Sequence, residues 1–385
     1  MLLIWLGQLL SQAGTRMYQI ALVWWLLGAG GSGREIGLFL VAGALPGLVL
    51  ANWIGRAVDR FPSRPLLVGF DLGALAVVAA VGWALAADAL TVPWLLVSGL
   101  LVAACQAVFD PALNKAVGEL VEPADLEEAV AFQSSTQNLA SFGGALAGAA
   151  LIDRLGIGGV VALNAASFGL SAVLTARIDF PSRAAPARPS EDAPASGWRV
   201  LDGMPWIKRV LVGFGLANFF LTPILAVLPL YAKHTLSGSA SLLGLLEASL
   251  FFGLVAGTFL AKRCDFLPNK AAMGAACLAV VGGALIVPGL VVAVPVFLVF
   301  LCLAGAALGV NNVKFVALFQ ETVPPEVKGR FFALMQALLS FTFPVAFLLF
   351  GLLADRLGPP AVLVVQGLGV LALSAYFARL AGEAA

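Results

Sequence analysis

Charge is scarce in this chain, and so are the residues that most often hold metals. Only 11% of the 385 residues are charged, one is histidine and four are cysteine. The cysteines lie in or beside apolar runs without paired spacing, which argues against a disulfide framework and a metal site. There is no phosphate-binding loop and no Ser-His-Asp, histidine-rich or paired-carboxylate set at workable spacing. The sequence therefore predicts neither a cofactor nor an enzyme. The four cysteines are Cys105, Cys264, Cys277 and Cys302.

What the chain has in abundance is apolar surface. Hydrophobic residues make up 61% of it, and the mean hydropathy is +0.99. A water-soluble domain cannot bury so much, whereas spans of about 20 apolar residues match a hydrocarbon core ~30 Å thick. A backbone in lipid must satisfy its own hydrogen bonds, and these runs are too long for barrel strands, so helices are expected. The formal net charge of +1 gives no case for a nucleic-acid partner.

Runs bounded by charge, glycine and proline predict twelve membrane helices in an all-α fold. The N-terminus has no basic region and no small-residue cleavage site, so the first run is interpreted as a helix and not as a signal peptide. The predicted helices are 2–27, 34–56, 65–87, 92–116, 124–152, 157–178, 208–232, 240–262, 270–289, 293–320, 327–354 and 359–380.

Basic residues predict the orientation of these helices. If the turn from Gly55 to Arg64 is cytoplasmic, most lysines and arginines fall on the same side, and the positive-inside rule then predicts that both termini are cytoplasmic. The opposite side receives only Arg34, Arg154, Lys233 and Arg356. A stretch rich in proline, alanine and charge predicts a flexible cytoplasmic linker at 179–207, between halves 1–178 and 208–385.

The two halves repeat one another at a constant offset of 202 residues. This offset aligns the run from Leu151 to Gly156 with the run from Leu353 to Gly358, and Arg177 with Arg379. It also aligns Gly55 with Gly257. A single ungapped offset that serves separate regions predicts two parallel six-helix pseudo-repeats, with a substrate site near the membrane midplane.

The turn after the second predicted helix carries a recognisable pattern. Gly55, Asp59, Arg60 and Arg64 stand at the spacing Gly-x-x-x-Asp-Arg-x-x-x-Arg, and the helix before them contains Ala44-Leu-Pro-Gly. Both features resemble the major facilitator superfamily, in the branch of drug, macrolide and siderophore exporters. The resemblance implies a secondary transporter that works by alternating access, as a monomer, in the bacterial cytoplasmic (inner) membrane.

The resemblance also implies a mechanical role for this turn. In the family, the aspartate that corresponds to Asp59 sits near the N-terminus of the eleventh helix, where the helix dipole favours an anion. Gly55 would allow close approach, and loss of the contact would favour the inward-open state. Gly55, Asp59, Arg60 and Arg64 are thus expected to form a conformational latch. The second repeat has Ala261 in place of Asp59, so the latch is expected on one side only.

Ionisable residues inside apolar spans are functional candidates by default, because they are costly in lipid. Arg16 and Glu247 are expected about 16 and 10 Å below the outer face, and Asp110 and Lys314 about 27 and 31 Å below it. One hypothesis pairs Asp110 with Lys314 across the halves, as a cytoplasmic closure. The alternative is that each simply reaches its own interface. Asp71 is a fifth candidate, expected nearer the surface of the membrane.

Glu247 is the leading candidate for a proton-binding carboxylate. Burial disfavours its charged form, a nearby arginine favours it, and a substrate cation could displace the proton. The alternative is a permanent ion pair with Arg16 that only fixes packing. Gln8, Gln12 and Gln19 give the first helix a partly polar face around Arg16.

Polar and aromatic residues of the second half could line an apolar pocket with a few hydrogen-bonding points. Such a pocket suits a lipophilic or amphipathic solute. Together with Glu247, the resemblance to exporters then implies proton-coupled export of such small molecules. A lysophospholipid or other lipid translocator with the same fold is the first alternative, and a membrane receptor that moves nothing is the second. The pocket residues are Asn218, Phe219, Phe220, Thr222, Asn311, Asn312 and Gln336.

Overall fold

The structure, a computed structural model, describes residues 2–122, 125–178, 180, 201, 203–264, 266–267 and 269–383. This part of the chain is helical and contains no strand. Its α-helices are α1 (Leu2–Gly28), α2 (Gly33–Val49), α3 (Ala51–Arg60), α4 (Ser63–Ala86), α5 (Val92–Leu120), α6 (Leu126–Ala176), α7 (Pro205–Leu221), α8 (Ile224–Leu230), α9 (Ala240–Leu260), α10 (Lys270–Leu290), α11 (Val294–Thr322), α12 (Lys328–Leu357) and α13 (Pro359–Glu383). The predicted all-α membrane fold is confirmed.

Nine helices of the described residues are long and apolar enough to cross a membrane, or ten if the bent pair α2 and α3 is one span. α1 is not among them, because its glutamines and Arg16 lower its hydropathy. α6 counts once, although 51 residues at ~1.5 Å each would far exceed a ~30 Å core. Gly156, which has non-helical backbone angles, divides it in two. The count of twelve stays a prediction.

Two of the predicted helices are interrupted. The predicted helix 34–56 is bent by 61° between α2 and α3, just after Pro46. The predicted helix 208–232 stops at Leu221 and resumes at Ile224. Pro223 lies at that break. A proline has no backbone N–H to bond to the carbonyl four residues earlier, so it interrupts the hydrogen bonds of a helix. A π-helical turn, Tyr231–Thr235, then ends the segment.

The chain divides into two compact units. Unit 1 contains residues 1–188 and 239–244, and unit 2 contains residues 189–238 and 245–385. Most of the predicted linker, 179–207, lies outside the described residues, so the predicted half boundaries stay predictions.

In unit 1, α6 packs against α1 and α4, and α5 packs against α2 and α4. Small residues allow the close approach of α1 to α6: a Cβ added at Gly148 would lie 2.7 Å from the Met17 Cα. The first turn of α9 also packs on α6, where a Cβ at Gly244 would overlap Ala149. Such glycines let membrane helices gain dispersion contacts that larger residues would block.

In unit 2, α10 packs against α11 and α13, and α7 packs against α12 and α13. α9 and α11 meet through four glycines at four-residue spacing, Gly253 and Gly257 on one helix and Gly305 and Gly309 on the other. A Cβ added at Gly257 would lie 2.8 Å from the Ala306 Cα. The backbones therefore touch directly, as in small-xxx-small pairs.

The helix bounds follow the 202-residue offset that the sequence predicted. Shifted by 202, α5 gives 294–322, which are the bounds of α11, and the start of α6 coincides with the start of α12. The breaks also match, since Gly156 has φ 71° and ψ 173° and Gly358 has φ 82° and ψ 153°. That region of backbone space is open essentially to glycine alone. Among the described residues, these helix bounds and breaks therefore recur 202 residues later.

Candidate functional site

A polar cavity of about 360 Å³ lies inside unit 1. Its lining comes from three helices, α1, α5 and α6, and is made of side chains that can hydrogen-bond. Arg16, Gln12 and Gln19, which the sequence placed on a polar face of the first helix, all reach it. The lining residues are Gln12, Thr15, Arg16, Gln19, Gln106, Asp110, Gln137 and Ser141.

Hydrogen bonds hold part of this lining in place. The Arg16 Nη1 donates to the Gln19 Oε1 at 3.3 Å. The Gln106 Nε2 on α5 donates to the Thr15 Oγ1 at 2.9 Å, and Thr15 donates in turn to the Ser11 carbonyl at 2.9 Å. Each glutamine uses one end of its amide in these bonds, so its other end can bind a ligand.

A second cavity of about 380 Å³ lies beside the first. The two share Gln19, Gln106 and Asp110 as lining residues. The rest of the second lining is aromatic, aliphatic or glycine, and comes from α1, α2 and α5: Tyr18, Phe39, Leu40, Gly43, Ala44, Gly47, Gly99, Val102, Ala103 and Ala107. Unit 1 therefore presents a polar space next to an apolar space, with Asp110 at the boundary.

Asp71 does not line either cavity. Its side chain is buried on α4, beside Ser171 of α6. The Asp71 Oδ2 has no hydrogen-bond partner in the described structure.

The turn from Gly55 to Arg64 is anchored to its own unit. The Lys115 Nζ on α5 donates to the Val58 carbonyl at 2.7 Å and to the Phe61 carbonyl at 2.9 Å, so it caps the end of α3. The Arg64 guanidinium donates to the Ala176 carbonyl at the end of α6. Lys115, one of the many basic residues predicted on the cytoplasmic side, therefore fixes the shape of the turn.

The remaining latch candidates have exposed positions on α3. Asp59 and Arg60 are exposed at the end of α3. Gly55 is exposed too, and a Cβ there would meet no described atom within 4 Å. A close approach of Gly55 to the eleventh predicted helix would join different units and stays a prediction. Within unit 1, the buried Ile54 and Val58 of α3 pack in the same apolar cluster as residues of α1, α4 and α5.

The candidates of unit 2 differ in their surroundings. Glu247 and Lys314 are 3% and 5% exposed, and each makes a polar or charged interaction. The Asn218 Nδ2 donates to the Phe214 carbonyl of its own helix at 2.9 Å, and Asn312 is exposed. Pairings of Glu247 with Arg16 and of Lys314 with Asp110 join different units and stay predictions.

The aromatic residues after Asn218 form a packed cluster. Phe219 lies 5.5 Å from Phe220, and both approach Phe350, at 5.6 and 5.9 Å between ring centroids. Such edge-on contacts stabilise the packing of α7 on α12.

The sequence profile described as Major Facilitator Superfamily matches residues 4–345. The chain belongs to this superfamily. It is a multi-pass membrane transporter, and the resemblance noted at the Gly55–Arg64 turn is confirmed at the level of the family.

Named relatives narrow the comparison within the superfamily. The chain is 26% identical over 368 residues to Macrolide efflux protein A of Streptococcus pyogenes, covering 92% of this chain and 89% of that protein. It is 27% identical over 389 residues to the Multidrug efflux pump Tap of Mycolicibacterium fortuitum, covering 97% and 93%. Both relatives bear the names of efflux proteins.

Solved structures share the fold of this transporter. A bacterial homologue of the human lysosomal transporter Spinster has a TM-score of 0.76 at 14% identity, covering 98% of this chain and 96% of that chain. A bacterial homologue of the iron transporter ferroportin also has a TM-score of 0.76, at 16% identity, covering 98% and 97%. At such identities the likeness concerns the fold alone.

Some cavity residues were missed by reading the sequence. Thr15, Gln106, Gln137 and Ser141 all line the polar cavity. The detectable signal was Gln106, an amide inside the apolar run of α5 and one helical turn before Asp110. Thr15 and Ser141 gave no signal, because hydroxyls commonly bond to their own helix in membranes.

Proposed function

We propose that this transporter exports amphipathic small molecules across the bacterial cytoplasmic membrane by alternating access, with protons as the coupling ion. The observation that carries the proposal is the pair of adjoining cavities in unit 1, one polar and one apolar, which share Asp110. A ligand with a polar end and an apolar body matches such a pair, and the volumes fall in the usual range of ligand sites. The names of the efflux relatives support the direction of transport.

Proton coupling is assigned to Glu247. Its side chain is 3% exposed on a helix able to span the membrane, and buried ionisable residues in such helices serve proton relays in pumps and transporters. In this proposal the protein works as a monomer with both termini in the cytoplasm. Asp59, Arg60 and Arg64 form a latch on the cytoplasmic side, on a turn that Lys115 holds in shape.

Transport into everted membrane vesicles tests the proposal. An imposed pH gradient should drive accumulation of an amphipathic fluorescent dye in vesicles that contain the wild-type protein. Glu247→Gln should abolish the response to the gradient, while exchange of labelled for unlabelled dye without a gradient should persist. Asp355→Asn is the matched control, since it removes an exposed carboxyl group from unit 2. Gradient-driven accumulation that survives in Glu247→Gln would remove Glu247 from the mechanism.

A further inference from the structure

The lining of the polar cavity is dominated by neutral groups that both donate and accept hydrogen bonds. Six of its eight residues are amides or hydroxyls, and the remaining two, Arg16 and Asp110, carry side chains of opposite formal charge. An ion of either sign would therefore meet a group that attracts it and a group that repels it. A neutral group avoids that conflict. The six are Gln12, Thr15, Gln19, Gln106, Gln137 and Ser141.

Amides suit hydroxyl groups in particular. A glutamine offers a carbonyl acceptor and two N–H donors, and a hydroxyl likewise donates and accepts. An ammonium group only donates and a carboxylate only accepts, so either would leave half of each amide unused. In this cavity the Gln19 Oε1 accepts a hydrogen bond from Arg16, and the Gln106 Nε2 donates one to Thr15. The Gln19 N–H groups and the Gln106 carbonyl oxygen are therefore available to a ligand. The two remaining ends complement a hydroxyl.

The apolar cavity continues from the same three residues, so a ligand can occupy both spaces at once. Phe39 and Leu40 form part of its wall. Gly43 and Gly47, one turn apart on α2, leave open space, since a Cβ at either would meet no described atom within 4 Å. That face of α2 therefore leaves space for a flat or bulky apolar part of a ligand.

We propose that the two cavities bind a glycosylated amphiphile, with the polyhydroxylated sugar in the polar cavity and the apolar aglycone beside Phe39 and Leu40. This rests on the proposed function and names its substrate class. The sugar determines selection, because amides that a ligand removes from water without offering a hydroxyl partner cost binding free energy. Sites built to bond a hydroxyl strongly reject analogues that lack it.

Binding to the full-length protein in lipid nanodiscs tests the substrate class. Nanodiscs avoid glycoside detergents, which would compete for the site. The probes are the 4-methylumbelliferyl glucoside, galactoside and xyloside, and the control is 7-methoxy-4-methylcoumarin, which keeps the ring system without the sugar. At least one glycoside should bind about tenfold or more tightly than the control. The proposal is overturned if no glycoside binds more tightly, or if the lipophilic cation tetraphenylphosphonium binds more tightly than all three.

Two sets of variants locate the two ends of the ligand. Gln12→Met combined with Gln137→Met keeps side-chain length but removes two of the four lining amides, and should lower glycoside affinity toward that of the control. Affinity for the methoxycoumarin should not change, which also shows that the variant is folded. Leu40→Ala should weaken both ligands. Equal losses for both ligands in the glutamine variant would contradict a sugar in the polar cavity.

Transport measurements separate this inference from the proposed function. A glycoside that binds tightly but is not moved under a pH gradient would overturn proton-driven export and leave the binding class intact. Gradient-driven movement of tetraphenylphosphonium, without preference for any glycoside in binding, would overturn the class and leave export intact.

Discussion

The backbone N–H of Ser241 donates a hydrogen bond of 3.1 Å to the Asp153 Oδ2. Ser241 lies in the first turn of α9, where helix N–H groups have no partner within the helix. Asp153 lies one turn before the break at Gly156. A carboxylate from one helix thus caps the start of another. Its negative charge also interacts favourably with the positive end of the helix dipole.

Replacing Asp153 should therefore destabilise the attachment of α9. Asp153→Ala removes the acceptor and is expected to cost about 0.5–1 kcal/mol, the low end for a helix cap, since the group is exposed. Asp153→Asn keeps an oxygen and should retain most of the stability. Thermal unfolding of the purified protein measures both, and identical midpoints for the wild type and the alanine variant would contradict the cap.

Lys115 should control access to the Gly55–Arg64 turn. Lys115→Met keeps the length of the side chain but loses the bonds to the Val58 and Phe61 carbonyls. Charge-assisted bonds of this kind contribute about 1.5–3 kcal/mol, so the end of α3 should open more often and trypsin should cut after Arg56 and Arg60 faster. Glu119→Gln is the control, because Glu119 is 3.9 Å from Lys115 and makes no hydrogen bond to the turn in the described part of the chain. Equal cleavage rates in Lys115→Met and Glu119→Gln would argue against this role.

Adding one methyl group to the α9–α11 contact should separate the two helices. Gly257→Ala would place a Cβ against the Ala306 backbone, and overpacking of this kind costs about 1–3 kcal/mol or more. Gly283→Ala on α10 is the matched control, since a Cβ there meets no described atom within 4 Å. The yield of folded protein and the unfolding temperature should fall only for Gly257→Ala. A similar fall in both variants would point to a general intolerance of alanine.

At Gly156 the cost of a side chain should come from the backbone alone. A Cβ at this position has open space around it, yet φ 71° and ψ 173° suit glycine only. Gly156→Ala is expected to cost about 1–3 kcal/mol. Gly158→Ala, two residues on and also open, should be neutral or slightly stabilising, because alanine favours helix. Thermal unfolding compares them, and equal stability would contradict a backbone origin.

Much of the fold could be predicted from the sequence, because hydrophobic runs and the charged, glycine and proline residues that bound them are local signals. The starts of α5 and α11 and a break close to Gly156 were predicted, to within a residue or so, from apolar runs bounded by charge, glycine and proline. The two helices end four and two residues later than predicted, at Leu120 and Thr322 instead of 116 and 320. The bend after α2 was missed because Pro46 lies in the middle of an apolar run, where proline is tolerated in membrane helices. The α9–α11 contact was missed although its glycines stand at four-residue spacing, a pattern typical of close helix pairs.

The site was harder to predict than the fold. Arg16 and Asp110 were found because charge in an apolar span is conspicuous, and both line the polar cavity. Their common cavity depends on how α1, α5 and α6 pack, which no local pattern contains. Gln137 and Ser141 come from a stretch of α6 with mixed polarity, where single polar residues carry no distinct signal.

The paired breaks at Gly156 and Gly358 also have a consequence for chirality. A residue of L configuration resists positive φ, whereas its mirror image prefers it. At Gly156 the reflected angles, φ −71° and ψ −173°, fall at the edge of the extended region that ordinary residues occupy. D-alanine, introduced by peptide ligation, should therefore be accepted where L-alanine is not. In each repeat unit, the long helix is therefore interrupted at a residue with positive φ, a conformation that suits a D-amino acid.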